Sequence, residues 1–599
     1  MKRLKTFIKI SAIAATLMLI LSTLSVAVFA DYSTDGATKL YFTDNAVQVT
    51  AGEYDGYEVD GTNVKITKEG TYILSGSCSD GSVTVKKGTQ NVVIVLDGLS
   101  LTCADSAPII CNKSSSVTIV ASSGSTNTLA DTNKNNDEKF TDNANAENAV
   151  IKCKDGSKVT LCGTGTLNIT ANGKNGIKSG ATTSEEGDAY LVIKELTLNI
   201  TANVNDGINA EQDLTIESGN ITVSAADDGI HSDLVLNIGK ENSEGPNIKI
   251  TKCYEGLEGA ELNIYSGNID INATDDCLNA ANSDLSNYEF KLNIFGGTLN
   301  MYTTDGDGVD SNGSLSITGG TVIVWSAQTA DNQPLDADGT VSIMGGTVLA
   351  AGGSGGMGIN LSTEQPYVIY GSSANAMGGK GMPGGNAPDS NFGGNGQADG
   401  NRFGGNPNNN EDSPMPKGDS SDNSGAGGPQ KPDLVPGQEN GKMQRPDNAS
   451  GTQMPQLPSN DGTDKSEGRD DNSIPQANGS GEAASELNIT SGSTVSIKDS
   501  SGNTLISYTA PCNASYLIFS SADMKDGETY VVYVNDVAVS QATAATGTGN
   551  GSANSSDITL SLQKNSSSLI KIISITAVVL VFAALIVFVT IHLKKSKDK

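Results

Sequence analysis

The chain has 599 residues, a formal net charge of −30, and 69 glycines against one tryptophan and two histidines. A molecule this acidic cannot neutralise phosphates, which excludes nucleic acid as a partner, whereas its acids suit cations. The glycines, with abundant Thr, Asn, Val and Ile, point to many short strands separated by turns, an all-β fold.

Residues 1–30 read as a secretory signal peptide: Met1-Lys2-Arg3 through Lys9 is basic, 10–29 is apolar, and Val28-Phe29-Ala30 supplies the cleavage site. Residues 36–370 form the expected main domain. Its first coils and cap fall in 41–129, where strands such as Val92-Val93-Ile94-Val95-Leu96 are irregularly spaced. From Val159 one pattern recurs: a strand, a turn at Gly, a second strand, then a corner with an acid, a Gly and an aliphatic residue. The clearest copies are LTIESGNITVSAADDGIHS from Leu214, LNIYSGNIDINATDDCLNA from Leu262, LNIFGGTLNMYTTDGDGVDS from Leu292 and LSITGGTVIVWSAQTADNQPLDA from Leu315. Starts lie 22 to 32 residues apart, the length of one solenoid coil. Apolar residues alternate within each copy, as at Leu214, Ile216, Ile221 and Val223, so each strand has one face to bury, which stacked coils can close into a core. The pattern predicts a right-handed parallel β-helix.

Several segments carry a resemblance. Gly76-Ser77-Cys78-Ser79-Asp80-Gly81, Leu96-Asp97-Gly98, Gly124-Ser125-Thr126-Asn127-Thr128-Leu129-Ala130-Asp131, Asn148-Ala149-Val150-Ile151 and Gly163-Thr164-Gly165-Thr166-Leu167 follow in this order. With them, the chain resembles the clostridial secreted carbohydrate-binding-domain family with a pectate-lyase-like parallel β-helix. The resemblance runs over 41–359 and resumes at 487–534, where Gly527-Glu528-Thr529-Tyr530-Val531-Val532-Tyr533 is similar to the family's closing strand. It implies a secreted module binding cellulose or acidic pectic glycans with calcium, without demonstrated catalysis.

Residues 371–485, rich in Gly, Asn, Pro, Ser and Asp, depart from that pattern and are expected to be a disordered insertion. Residues 486–540 are expected to supply closing strands, and 541–571 a Ser/Thr-rich stalk. Residues 572–593 are apolar and long enough for a transmembrane helix, and the basic tail 594–599 places the rest outside the cell: a single-pass, type I protein of the cell membrane. Eight cysteines show no C-x-x-C spacing, so no zinc site is implied, and buried thiols and disulfides both stay open.

Repetition turns corner residues into columns about 4.8 Å apart per coil. Before the Gly stand Asp206, Asp228, Glu255, Asp276 and Asp307; just after the aliphatic residue stand Lys178, Asn209, His231, Glu258, Asn279, Asp310 and Asp336. A single corner Asp is explained by turn chemistry. The doublets Asp227-Asp228 and Asp275-Asp276, and the group Asp305, Asp307 and Asp310, exceed what one turn needs. With Asp206 and Asp336 they are the expected ligands of Ca²⁺, which takes six to eight oxygens. Tyr302 and Trp325 fall at one outward strand position on adjacent coils, an expected aromatic strip for a sugar ring.

Enzyme readings find less support. Thr274-Asp275-Asp276-Cys277-Leu278 is similar to the Asp-Asp-Cys segment of polygalacturonases, but no Gly-His-Gly or Arg-Ile-Lys follows. A pectate lyase needs a strong base beside its acids, and Lys178 is the nearest by column. The expected function is a cell-surface, calcium-dependent, non-catalytic polysaccharide binder, with polygalacturonate as one candidate glycan. A glycan-free adhesive solenoid and a pectin-active enzyme are the alternatives.

Overall fold

The computed structural model describes residues 32–182, 189–328, 332–353, 359–371, 487–549 and 555–557. The expected signal peptide, almost all of the insertion, the transmembrane helix and the tail lie outside them. Among the described residues, no helix is long and apolar enough to cross a membrane.

The described chain is all-β and winds as a three-sided solenoid. Each coil visits three parallel ladders in turn. The first stacks Ser116–Ala121, Lys158–Gly163, Tyr190–Ile193 and Leu214–Ile216, and continues through Lys291–Ile294, Ser314–Ile317 and Val341–Ile343 to the start of Leu361–Tyr370. The second stacks Thr126–Asp131, Thr166–Ala171, Thr197–Ala202, Asn220–Ala225, Asn247–Lys252, Asn268–Ala273, Thr298–Thr303, Thr321–Trp325 and Thr347–Gly352. The third runs from Asn63–Ile66 and Ser82–Val85 through Ile208–Ala210 to Val309–Ser311. Ile177, Ile208, Ile230, Leu257, Leu278 and Val309, one per coil, are all fully buried. The period-two alternation of the repeats therefore becomes one continuous apolar interior.

The corner between the first and second ladders is set by glycine. Gly219, Gly267, Gly297, Gly320 and Gly346 all have positive φ, and a β carbon at Gly320 would stand 2.7 Å from the Gly297 carbonyl oxygen. Only a residue without a side chain makes this turn and lets the next coil sit on it.

The ends differ from the sequence expectation. Within 486–540, only Tyr516–Ser521 closes the solenoid, pairing antiparallel with Thr347–Gly352 and with 367–370. The expected closing strand Thr529–Val534 instead joins a separate five-stranded antiparallel sheet with Thr494–Lys498, Thr504–Thr509, Val537–Thr543 and Ser555–Asp557. The stretch read as a stalk begins with strands: Ala545–Gly549 pairs antiparallel with Leu361–Tyr370. Its Ser/Thr/Ala composition resembles a linker, but Thr is a good strand former and Ala542 and Ala544 are buried. All eight cysteines are free thiols, seven of them buried.

Candidate functional site

Chemistry gathers at the corner between the second and third ladders. Coils approach closely here: a β carbon at Gly207 would stand 2.6 Å from the Gly229 carbonyl oxygen, and one at Gly256 2.3 Å from that of Cys277. The acids before these positions stack as the repeat requires, and each fastens the next coil. The backbone N–H of Asp228 donates to Asp206 Oδ1 at 3.2 Å, that of Asp307 to Asp276 Oδ1 at 2.7 Å, and that of Gln333 to Asp307 Oδ1 at 2.6 Å. Half of each carboxylate is thus engaged in holding the corner. Burial first, and neighbouring acids second, push the Asp206 carboxyl up to about 7 and that of Asp276 up to about 8.

The adjacent column is in the expected register: Lys178, Asn209, His231, Glu258, Asn279 and Asp310 pair in succession. Among the described residues, ligand atoms come within 4.8 Å of one another in three groups: Asp206, Asp228 and His231; Asp228, Glu255 and Glu258; Asp307, Asp310 and Asp336. Glu255, Glu258 and His231 belong to these groups although the sequence reading did not select them as ligands. Their signal was their place in the columns.

The first two groups share one cation, His231, which belongs to the first and contacts Asp228 and Glu258 of the second. His231 Nδ1 lies 2.7 Å from Glu258 Oε2 and 3.4 Å from Asp228 Oδ2, and Nε2 lies 2.9 Å from Asp233 Oδ1. Burial alone would lower the imidazole pKa, but the bonds to these three carboxylates outweigh it and hold the ring protonated well above its usual range.

The third group is different. Among the described residues, neither Asp310 nor Asp336 has a cationic side chain within 4.0 Å. Burial, then the charge of Asp336, pushes Asp310 up to about 6. On the ladder beside Asp310 stands Asn279, which is 8% exposed. Its Nδ2 donates to Glu255 Oε2 at 2.9 Å, while its buried Oδ1 has no hydrogen-bond partner. A buried amide oxygen lacking a donor costs roughly 1–3 kcal/mol. Next to carboxylates that repel one another, it is an oxygen set that fits a hard divalent cation.

The doublets split. Asp227, Asp275 and Asp276 are half-buried, Asp305 is exposed, and none of the four belongs to the three groups. Successive side chains diverge at a tight corner, so one acid of each doublet faces the column and the other leaves it. Tyr254 takes up Asp275, its hydroxyl hydrogen-bonded to that carboxylate. Lys178, the nearest base by column, pairs with Glu211 at 3.2 Å, five rungs before Asp310.

The aromatic strip requires a correction. Tyr302 and Trp325 do sit side by side on adjacent coils. Trp325, however, is fully buried beneath the C-terminal sheet, its ring stacked on Tyr508 with centroids 6.2 Å apart and planes at 21°. Alternation correctly points Trp325 away from the solenoid interior. What it cannot show is that a segment more than 180 residues later covers that face.

This geometry stands beside the following similarities. Residues 60–356 match the family described as carbohydrate-binding domain-containing protein. Over these residues the solenoid is similar to the carbohydrate-binding domains of that family. A protein of the same description from Acetivibrio thermocellus is 37% identical over 144 residues, 24% of this chain and 48% of the relative. The chain thus spans about half the length of the relative it matches. A solved structure described as the polysaccharide lyase-like protein from C. thermocellum, gadolinium derivative, is 28% identical, with a TM-score of 0.31 over 51% of this chain and 96% of that one.

Proposed function

We propose that the solenoid is a calcium-dependent, non-catalytic polysaccharide binder. The observation that carries the calcium is the orphaned Asn279 Oδ1, one ladder position before Asp310, which itself groups with Asp307 and Asp336. Asp307, Asp310 and Asp336 would hold the ion, which supplies a positive centre able to bridge to glycan carboxylates; polygalacturonate is the favoured partner. Asp206 and Asp228 are compensated by His231 and serve as corner supports. The sequence supports display on the outer face of the cell membrane through residues 572–593.

Isothermal titration of the protein with polygalacturonate, with calcium and then with a chelator, tests this reading. Calcium-dependent heat is expected. One observation favours a second reading, a glycan-free scaffold: the corner acids already cap backbone N–H groups of the next coil. Bound calcium without heat from any glycan would decide for the scaffold.

A further inference from the structure

A second place on the solenoid has the make-up of a sugar site, and it lies away from the acidic corner. On the outward face of the second ladder, where strands Asn247–Lys252, Asn268–Ala273 and Thr298–Thr303 meet the C-terminal sheet, there is an open cleft of about 270 Å³. We propose that this cleft is a calcium-independent glycan subsite for neutral hexosyl residues. The inference rests on the polysaccharide-binding reading, though not on its cation.

The floor is polar and of mixed hydrogen-bonding sense. Lys249, Asp270 and Asn300 occupy one column on successive coils, and Asn272 precedes Tyr302 in the next. An ammonium donates, a carboxylate accepts and an amide does both, which suits the paired donor and acceptor character of sugar hydroxyls. Asn300 Nδ2 donates to Asp270 Oδ1 at 3.2 Å, so part of this floor is already oriented.

The same face does not offer this elsewhere. On earlier coils the asparagines of this column are spent on one another: Asn199 donates to Asn168 at 2.9 Å. On later coils the column becomes Ile323 and Leu349, buried under the C-terminal sheet. The cleft is the boundary where the polar face meets the covered one.

Its walls are aromatic. Tyr302 and Tyr508 both line it and are half-buried. One face of Tyr508 rests on Trp325, which immobilises the ring before any ligand arrives. A rigid ring above hydroxyl-binding groups suits the apolar face of a pyranose. Burial, then the charge of Asp270, raises the Tyr508 pKa, so its hydroxyl remains a donor. The volume is slightly below the ~300–1,000 Å³ of sites for drug-sized ligands and accommodates a short stretch of sugar.

Neutral sugars follow from the charges. The cleft has one floor carboxylate beside a lysine rather than a cation-ready group, and a chain of net charge −30 repels polyanions that no calcium bridges.

The test is isothermal titration of the full-length protein in EDTA with cellohexaose, laminarihexaose and mannohexaose. At least one should bind, and Asn272→Ala and Asp270→Ala, both at exposed floor positions, should each weaken it at least tenfold without moving the thermal midpoint. Tyr508→Ala should abolish it, but it also uncovers Trp325, so the floor variants decide. Silence from all three oligosaccharides while polygalacturonate still binds with calcium would overturn the subsite and leave the calcium reading intact. Equal affinity in wild type and both floor variants would overturn it as well. Silence from polygalacturonate too would remove the polysaccharide reading beneath both.

Discussion

His231 shows how much one side chain settles in this corner. It supplies the positive charge for Asp228 and Glu258, so Ala in its place leaves these carboxylates without their cation. His231→Ala should destabilise the protein by about 3 kcal/mol at neutral pH, read from the urea midpoint; an unchanged midpoint would mean that water already screens these acids. Asp310 and Asp336 have no such internal partner among the described residues, and calcium should matter there. Asp310→Asn and Asp336→Asn should each remove most of the calcium-induced rise in thermal midpoint, while Asp227→Asn and Asp305→Asn should leave it unchanged. Equal losses in all four would point to diffuse surface charge rather than a site. In the sequence, the column membership of these residues was legible. Which acid of a doublet faces the column was not, because side-chain direction at a tight corner depends on the backbone around it.

At the scale of the element, alternation and glycine carried the fold. Leu214, Ile216, Ile221 and Val223 announce two strands with a common buried face, and the structure buries all four. The glycine turn is as specific. Gly320→Ala should cost about 1–3 kcal/mol, since a β carbon there meets a backbone carbonyl that cannot move aside and the φ of +82° disfavours any side chain. Chemical denaturation checks this; a loss no larger than that of an Ala at the unobstructed Gly98 would show that the coils part easily. The C-terminal elements were less legible. Thr529–Val534 carries the alternation of a closing strand, but alternation does not name the strand it pairs with. The solenoid's open end was taken by Tyr516–Ser521, whose every residue is buried.

For the whole molecule, the buried acids make stability depend on pH. Asp206, Asp276 and Asp310 have carboxyl pKa values raised to about 7, 8 and 6 in the fold, so the folded state holds protons that the unfolded chain releases near 4. Their contribution is fully present below the unfolded value and is lost as pH rises through the folded ones. Chelated protein should therefore melt at progressively lower temperature between about pH 4 and pH 8. His231, also raised, acts in the same direction. Calcium should restore more of the midpoint at pH 8 than at pH 5, because protons compete for the same oxygens. A flat profile without calcium would show that these carboxyls ionise freely in the fold.

The sequence by itself determined the coil, the core face and the register of the acid columns, because each depends on local alternation and a repeat length that neighbouring coils must share. Only the tertiary structure decided which acids are compensated by His231, which amide oxygen lacks a donor, and that Trp325 is covered while Tyr302 and Tyr508 border a cleft. Those outcomes depend on groups brought together from distant parts of the chain, and no periodicity records which distant segment will pack on a given face.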